Sequence, residues 1–169
     1  EVFTTGNDFE AVTAKYIPDH FNCSNNDITI DDRSGKKGPE SESVTIGKIG
    51  EKTFAFVGLE RVGGVVVYDI TTPEKATYVN YINSRDFTSD IAGDDSPEGM
   101  KFISSEQSKT GEPQLLVAYE VSGTLGAYDL TLNTSLDKDS EANGNKPEDK
   151  KDENIICDRT RYLSALPLF

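Results

Sequence analysis

The sequence predicts an all-β protein built from two tandem antiparallel β-meanders of four strands each. The first supporting observation is an internal repeat, in which FAFVGLERVGGVVVYDI at residues 54–70 returns as QLLVAYEVSGTLGAYDL at residues 114–130. The second is a series of short runs rich in Val, Ile, Phe, Tyr and Thr, separated by tight turns as in linked hairpins. Self-similarity at a fixed spacing marks a repeat architecture, so we expect both units to adopt the same fold.

Residues 1–42 precede the repeat and predict a short helix followed by an acidic loop. Asp8 is placed to cap the helix and Pro18 to end it. A partial apolar face is formed by Phe9, Val12, Ala14 and Tyr16. Residues 25–42 are polar and rich in turn formers, which indicates a surface loop.

Residues 43–82 predict the first meander. Its strands are expected at Val44–Ile49, Thr53–Leu59, Val65–Ile70 and Thr77–Ile82. The second of these strands shows little alternation of polar and apolar residues, which is typical of a strand covered on both faces. We therefore expect this sheet to lie between other layers of the protein.

The second meander follows an acidic connection at residues 83–98, and its pattern is incomplete. Its strands are expected at Met100–Ser104, Leu115–Tyr119 and Leu125–Leu130. No fourth run follows where the repeat requires one, so the unit at 99–130 is predicted to lack a strand. Residues 131–169 predict an acidic flexible tail, because polar residues dominate most of it. We expect its apolar end to dock back near Cys157.

Four-stranded meanders in tandem are typical of β-propeller blades. Each blade buries its faces against its neighbours, so two blades alone would leave two apolar sheet faces exposed. The sequence therefore predicts part of a larger ring, completed by a second polypeptide or by a preceding part of the protein. The missing fourth strand agrees with this, because a ring often closes with a strand taken from elsewhere.

The charge of the chain excludes several classes of partner. Thirty acidic residues against 17 basic ones give a net charge of -13, which repels nucleic acids and anionic membranes. No run of about 18 apolar residues exists, so no membrane-spanning segment is predicted. An acidic surface of this kind suits cations, basic partners or high solubility.

Four glutamates at matching positions of the two units form the main candidate metal site. Glu42 and Glu98 each precede the first strand of a unit, and Glu60 and Glu120 each follow the second strand. Matching positions of neighbouring blades lie at one rim or face one channel, so we expect the four carboxylates to be close together. Such oxygen ligands suit Ca²⁺ or Mg²⁺. The alternative is that Glu60 and Glu120 accept backbone hydrogen bonds in their turns.

The acidic connection RDFTSDIAGDDSPE is a second candidate, with Asp90, Asp94 and Asp95 as calcium ligands. It resembles a calcium-binding loop in composition, but it lacks the spacing of an EF-hand. A solvated surface loop is the alternative, and the sequence leaves both open.

Two cysteines and two sequons indicate a secreted protein in an oxidising setting. A bridge between Cys23 and Cys157 would stabilise the fold by roughly 4–5 kcal/mol in the chain-entropy model, and two free buried thiols are the alternative. No CxxC pattern is present, which excludes a zinc ribbon. Glycosylation sequons occur at Asn22 and Asn133.

Motifs of catalysis are absent from the sequence. His20 is the single histidine, and neither GxSxG, HExxH nor GxxxxGK[ST] occurs. Basic residues are scattered, so no nucleic-acid interface is predicted. The residues themselves favour a binding protein over an enzyme.

Several segments closely resemble the choice-of-anchor I family of β-propeller proteins, in consistent order over about residues 8–130. They are IPDHFNCSNND, DDRSGKKGPESESVTIGKIGEKTFAFVGLERVGGVVVYDITTP, VNYINSRDF, SPEGMKFI and LLVAYEVSGT. That family includes mesenchyme-specific cell-surface glycoproteins of biomineralising animals and secreted bacterial proteins labelled alkaline phosphatase. The resemblance implies a secreted or cell-surface propeller, of which this chain is the C-terminal portion.

The family motif at the first blade is GPEPEG, and this chain departs from it at one position. Glu40 and Glu42 match the motif, whereas Ser43 stands at the family glycine. The second blade keeps the motif as Pro97-Glu98-Gly99. The serine puts the close backbone approach at the first blade in doubt, and with it a metal site there.

Three functions follow from these expectations. The first is a non-enzymatic extracellular propeller that binds a partner, the matrix or a mineral surface, with Ca²⁺. The second, implied by the resemblance, is a metal-dependent phosphoesterase whose site is shared with blades outside this chain. The third is a subunit that carries a ligand or pigment in a hetero-oligomer. The sequence favours the first and leaves the others open.

Overall fold

The protein has two antiparallel β-sheets, which confirms the all-β class predicted from its sequence. The computed structural model describes residues 1–132 and the backbone of the strand at residues 155–164. Its elements are α1 (Asp8–Tyr16), β1 (Ser41–Ile49), β2 (Lys52–Leu59), β3 (Val65–Asp69), β4 (Thr77–Ile82), β5 (Pro97–Ile103), β6 (Gln114–Tyr119), β7 (Thr124–Leu132) and β8 (Ile155–Ser164). Strands β1 to β4 form one sheet and β5 to β8 the other, each in chain order. The assembly of these sheets into propeller blades stays a prediction.

The first sheet follows the predicted pattern of hairpins. Ile49 pairs with Lys52 across the turn between β1 and β2, where Gly50 has a φ of 58°. A left-handed residue is what tight hairpin turns require, and glycine adopts it without a steric penalty. The largest difference is that β1 begins at Ser41, earlier than the predicted Val44, while β2 begins at Lys52 and β3 ends at Asp69, each one residue from its predicted bound.

The second sheet contains a fourth strand, which corrects the prediction of an incomplete unit. β8 runs antiparallel to β7, with Leu125 opposite Leu163 and Leu132 opposite Ile155. The sequence pattern missed this strand because a long polar stretch separates it from β7 along the chain. The flexible tail predicted for that stretch, residues 133–154, lies outside the described residues.

The two sheets pack face to face, and their interface holds the larger apolar core. The first sheet contributes Phe54, Phe56, Val65 and Val67. The second sheet contributes Leu115, Val117, Tyr128 and Leu130. These side chains are almost completely buried, and burial of each stabilises the fold by about 1.5–3 kcal/mol. The core therefore fixes the two sheets face to face and brings their equivalent ends close to one another.

Helix α1 covers the opposite face of the first sheet. Val12 packs with Val66 and Tyr68 in a second buried cluster, so β3 is covered on both faces, whereas Val44 and Ile46 of β1 stay exposed on the face that carries the helix. Asp8 is the first helical residue rather than the cap, and Asn7 occupies the capping position without a side-chain hydrogen bond. The Asp8 carboxylate instead accepts a hydrogen bond from the Tyr68 hydroxyl at 3.0 Å, which ties the helix to the sheet.

Candidate metal centre

The first strands of the two sheets carry the same β-bulge, and each bulge holds a glutamate. In the first sheet Ser41 pairs with Leu59 and Ser43 with Gly58, which leaves Glu42 as the extra residue. In the second sheet the pairing of Pro97 with Tyr119 and Gly99 with Ala118 leaves Glu98 in the same position. Bulges are common beside functional sites because they redirect a side chain. The repeat therefore places two carboxylates equivalently at one edge.

The turns after β2 and β6 repeat a second feature of this edge. The backbone N–H of Glu60 donates to the carbonyl of Glu40, and that of Glu120 donates to the carbonyl of Ser96, both at 2.8 Å. Glu40 and Ser96 have left-handed φ values of 56° and 68°. Such conformations are strained for residues with a side chain and concentrate at functional sites. Each turn is thus held beside the bulge of its own sheet.

Glu40 lies in the cluster but has its carboxylate occupied by cationic side chains. One oxygen lies 2.5 Å from the Lys37 Nζ, and the other accepts from Arg33 at 2.5 Å and from Arg61 at 2.9 Å. The hydrogen bond from Lys37, with Arg61, holds the pKa of Glu40 at about 2. Glu40 is therefore a counter-ion that is ionised at neutral pH.

Glu60 is the group at this edge whose hydrogen bonding is incomplete. It is 4% exposed, and Oε1 accepts from Asn25 Nδ2 at 3.2 Å and lies 3.3 Å from Arg61. Oε2 is buried and has no hydrogen-bond partner among the described residues. Burial, followed by the neighbouring Glu42 carboxyl, raises the pKa of Glu60 to about 7. Ligand oxygens of Glu40, Glu42 and Glu60 lie within 4.8 Å of one another.

The second sheet supplies an equivalent pair of carboxylates. Both Glu98 and Glu120 are exposed. The negative charge of Glu120 raises the pKa of Glu98, and Glu42 of the first sheet adds to this. We call Glu42, Glu60, Glu98 and Glu120 together the carboxylate rim. The four predicted glutamates thus interact as two pairs, and of the four only Glu42 and Glu60 belong, with Glu40, to a described group spaced to hold a metal ion.

Ser43, which replaces the family glycine, joins the two sheets at the carboxylate rim. Its hydroxyl donates to the carbonyl of Pro97 at 3.3 Å. This contact is made by the serine side chain, so the effect of the substitution on a close backbone approach stays a prediction. A Cβ on the neighbouring Gly58 would overlap the Ser43 hydroxyl, so the fit depends on that glycine.

The acidic connection has other roles in the described structure. Asp94 accepts hydrogen bonds from Ser84 at 2.7 Å and from Thr124 at 2.8 Å, and the fully buried Asp95 pairs with Arg85 at 3.5 Å. Asp90 is exposed. Within the described residues, these three carboxylates do not form a group spaced to hold a metal ion. Composition indicated a calcium loop because it does not reveal which carboxylates bond inward.

The predicted disulfide and sequons are not supported by the described residues. Cys23 carries a free, buried thiol, and the side chain of Cys157 lies outside the description. Asn22 is buried, and its amide donates to the Ser34 hydroxyl at 2.8 Å, so the folded protein leaves no room for a glycan there. Asn133 also lies outside the described residues.

Sequence reasoning did not predict the roles of three residues that build this edge: Asn25, Glu40 and Arg61. Asn25 comes from the segment before the repeat, and its amide donates to both Glu60 and the Ser96 hydroxyl at 3.2 Å. No repeat signal marks it. Glu40 was visible within the family motif, but the cations that surround it were not.

The chain matches known proteins over parts of its length. The family model of the choice-of-anchor I domain matches residues 1–73. Gigasin-3a of Magallana gigas is 28% identical over 142 residues, which cover 75% of this chain and 50% of that relative. The chain thus spans about half the length of this relative. No solved structure matches the chain significantly.

None of the helices in the described residues has the length and apolar character needed to cross a membrane.

The family match covers the segment that contains the first bulge and the turn after β2. It confirms, over residues 1–73, the resemblance found in the sequence: this segment, with Glu42 and Glu60 in it, is similar to the choice-of-anchor I domain.

Proposed function

We propose that the protein is a non-enzymatic extracellular domain that binds a divalent cation at the carboxylate rim. The observation that carries this proposal is Glu60, a buried carboxylate whose Oε2 has no hydrogen-bond partner among the described residues and which lies beside the carboxylate of Glu42. The choice-of-anchor I match indicates an extracellular or cell-surface setting. Calcium is the cation that this chemistry and this setting favour.

A bound cation would offset two unfavourable contributions to the free energy of the fold at the carboxylate rim. A buried carboxylate oxygen without a partner loses its hydration without compensation, and neighbouring carboxylates repel one another. Ca²⁺ takes about six to eight oxygen ligands in a flexible geometry, whereas Mg²⁺ requires a near-ideal octahedron. Glu42 is exposed and lies in a bulge, so it is free to adjust to the larger ion. Extracellular calcium modules bind with Kd values of roughly 10⁻⁴–10⁻³ M.

Replacing Glu42 with glutamine is expected to weaken calcium binding by about tenfold, equivalent to about 1.4 kcal/mol, because the variant loses a charged ligand but keeps its shape. Calorimetric titration of the protein with calcium chloride would measure this change. The matched control is Glu51→Gln, which removes an exposed carboxylate of the same sheet, at the opposite end of β1. Absence of binding by the wild type, or equal Kd values for wild type and Glu42→Gln, would contradict the proposed site.

The phosphoesterase alternative uses the same carboxylate rim, but it predicts a catalytic activity that can be measured. It requires release of phosphate from a monoester, inhibition by chelator and loss of activity in Glu98→Gln. His20, the single histidine, stacks on Phe87 at 4.3 Å between ring centroids and takes no part in the rim. We favour binding because the rim groups carboxylates and the described residues add no nucleophile paired with a base. Matrix or mineral binding and carriage of a pigment remain predictions.

We further propose that the outer face of β1 packs against another β-sheet, as in a propeller ring. Val44 and Ile46 are 66% and 60% exposed there, and they pair across the sheet with Val57 and Ala55. The opposite face of the same sheet already packs on a sheet of the same kind, so a further four-stranded sheet is the fitting partner. It would come from a second polypeptide or from a preceding part of a longer protein.

Native mass spectrometry is expected to show association of the protein through this face. The double variant Val44→Asp/Ile46→Asp should lose the association, because two charges would be buried at the contact. Thr77→Asp on β4, an exposed position, is the control. A monomeric protein with one melting transition, unaffected by the double variant, would contradict the shared ring.

A further inference from the structure

Four of the seven tyrosines gather where helix α1 packs on the first sheet, and one of them is exposed. They are Tyr16, Tyr68, Tyr78 and Tyr81. Tyr16, at the end of α1, is 48% exposed. Its ring centroid lies 6.5 Å from that of Tyr78 and 6.1 Å from that of Tyr81. An accessible phenol is therefore in contact with other phenols of a different element.

We propose that Tyr16 and Tyr78 form an oxidative modification site, at which a haem peroxidase with hydrogen peroxide joins the two rings as an intramolecular dityrosine. The bond would link α1 covalently to β4. This inference is independent of the cation.

Hydrogen bonding selects Tyr78 over the other two tyrosines as the partner of Tyr16. The Tyr81 hydroxyl donates to the Gly63 carbonyl at 2.7 Å and accepts from the Asn83 amide at 2.8 Å, so it is directed into the protein. Tyr68 is buried, and its hydroxyl is bound to the Asp8 carboxylate. The rings of Tyr16 and Tyr78 are inclined by only 32°.

The electrostatic environment favours oxidation of Tyr16. Tyr78, followed by Lys15, lowers the pKa of Tyr16, and the Lys15 ammonium lies 4.8 Å from the ring centroid. The Tyr78 hydroxyl is buried and has no hydrogen-bond partner among the described residues, so no hydrogen bond holds that ring away from Tyr16. The ring carbons ortho to those hydroxyls are the positions at which phenoxyl radicals couple.

The reaction balances with one molecule of hydrogen peroxide. Each phenol loses one electron and one proton to the peroxidase and becomes a phenoxyl radical. The two radicals form one carbon–carbon bond between ortho carbons, and both rings recover aromaticity when the ortho hydrogens shift to the oxygens. The two electrons and two protons removed reduce the peroxide to two molecules of water.

Among the described side chains, few others compete for the oxidant. The sequence contains no tryptophan and a single methionine, Met100, which is partly buried against the inter-sheet core. Cys23 is completely buried, and Tyr119 and Tyr128 lie inside the core. Among the described residues, the tyrosine at the end of α1 is therefore the accessible entry point for one-electron oxidation.

The test treats the full chain at low concentration with a haem peroxidase and hydrogen peroxide. We expect dityrosine fluorescence in a product that stays monomeric on a denaturing gel. Mass spectrometry should find one linked peptide pair, containing Tyr16 and Tyr78, that is lighter by two hydrogen atoms than the separate peptides. The Tm should shift upward after treatment, because the link holds the helix on the sheet.

Variants with single tyrosines replaced distinguish coupling at this site from unspecific oxidation of the protein. Tyr16→Phe and Tyr78→Phe should each reduce the fluorescence at least tenfold, whereas Tyr81→Phe should keep it; circular dichroism verifies that each variant is folded. Phenylalanine preserves the ring packing, so loss of folding would not imitate the result. A link from Tyr16 to Tyr81, covalent dimers as the main product, or an unchanged yield in Tyr78→Phe would overturn the proposal.

Discussion

Replacing Arg85 with methionine is expected to lower the free energy of unfolding by about 3–5 kcal/mol. The Arg85 side chain is fully buried, and its Nε lies 3.5 Å from Oδ2 of the equally buried Asp95. Removing one member of a buried ion pair leaves the other charge without compensation. Because domains of this size are stable by about 5–15 kcal/mol, the variant would lose a large share of its stability.

The hydrogen bonds of Arg85 add to this expected loss, since the guanidinium joins three separate segments. One terminal nitrogen donates to the carbonyls of Ser24 at 2.8 Å and Arg61 at 3.0 Å, and the other donates to the carbonyl of Asp90 at 2.9 Å. A buried acceptor left without a donor costs about 1–3 kcal/mol. Arg85 therefore holds the N-terminal segment and the acidic connection onto the first sheet.

Urea unfolding would measure the loss of stability in Arg85→Met, and the pH dependence of the free energy of unfolding would identify its cause. Burial raises the pKa of Asp95 to about 6, although the charge of Arg85 opposes this. A carboxyl whose pKa is raised by folding contributes stability below its ordinary pKa, and this contribution is lost as the pH rises through about 6. Without the arginine, the loss between about pH 5 and about pH 8 should become steeper.

Two further variants complete this experiment. Arg85→Met combined with Asp95→Leu should recover part of the stability, because both charges are removed together. Lys101→Met, at an exposed position of β5, should change the free energy of unfolding by less than about 0.5 kcal/mol. Equal unfolding midpoints for wild type and Arg85→Met would show that water or neighbouring side chains replace the guanidinium.

The role of Arg85 illustrates what the sequence did not reveal. In RDFTSDIAGDDSPE it precedes a run of carboxylates, and composition alone predicted a solvated or calcium-binding loop. The structure instead buries Asp94 and Asp95 with their partners. Burial of a charged group depends on contacts from distant segments, here from Ser24 and Arg61, and no local pattern records such contacts.

The strands and the carboxylate rim were predictable for one shared reason, the internal repeat. It aligns Glu42 with Glu98 and Glu60 with Glu120 along the chain, and equivalent bulges and turns place them at corresponding positions of the two sheets. Strand β8 was not predictable in this way, because it is distant in sequence and its pairing with β7 is a tertiary contact.

The second large effect is expected from Glu60→Gln, which should stabilise the cation-free protein and remove its response to calcium. Without calcium, we expect the free energy of unfolding to rise by about 1–3 kcal/mol, because the variant no longer buries a carboxylate oxygen without a partner. Glutamine keeps the side-chain shape and can still accept the hydrogen bond from Asn25. With calcium at ten times its Kd, the wild type should gain about 1.4 kcal/mol and the variant much less.

Urea unfolding of the wild type and of Glu60→Gln, each with chelator and with calcium, would measure both expected differences in the free energy of unfolding. Glu120→Gln is the matched control, because it changes the repeat-equivalent glutamate at an exposed position. It should leave the cation-free stability within about 0.5 kcal/mol of the wild type.

A decrease in the cation-free stability of Glu60→Gln would contradict the role of Glu60 as a cation ligand. Glu60 would then be an anionic partner that Arg61 needs at 3.3 Å, and the unpaired oxygen would be a tolerated cost of that ion pair. A rise in stability together with a lost calcium response has a different explanation. It would mean that the fold keeps an unfavourable buried charge at the carboxylate rim because a bound cation compensates for it.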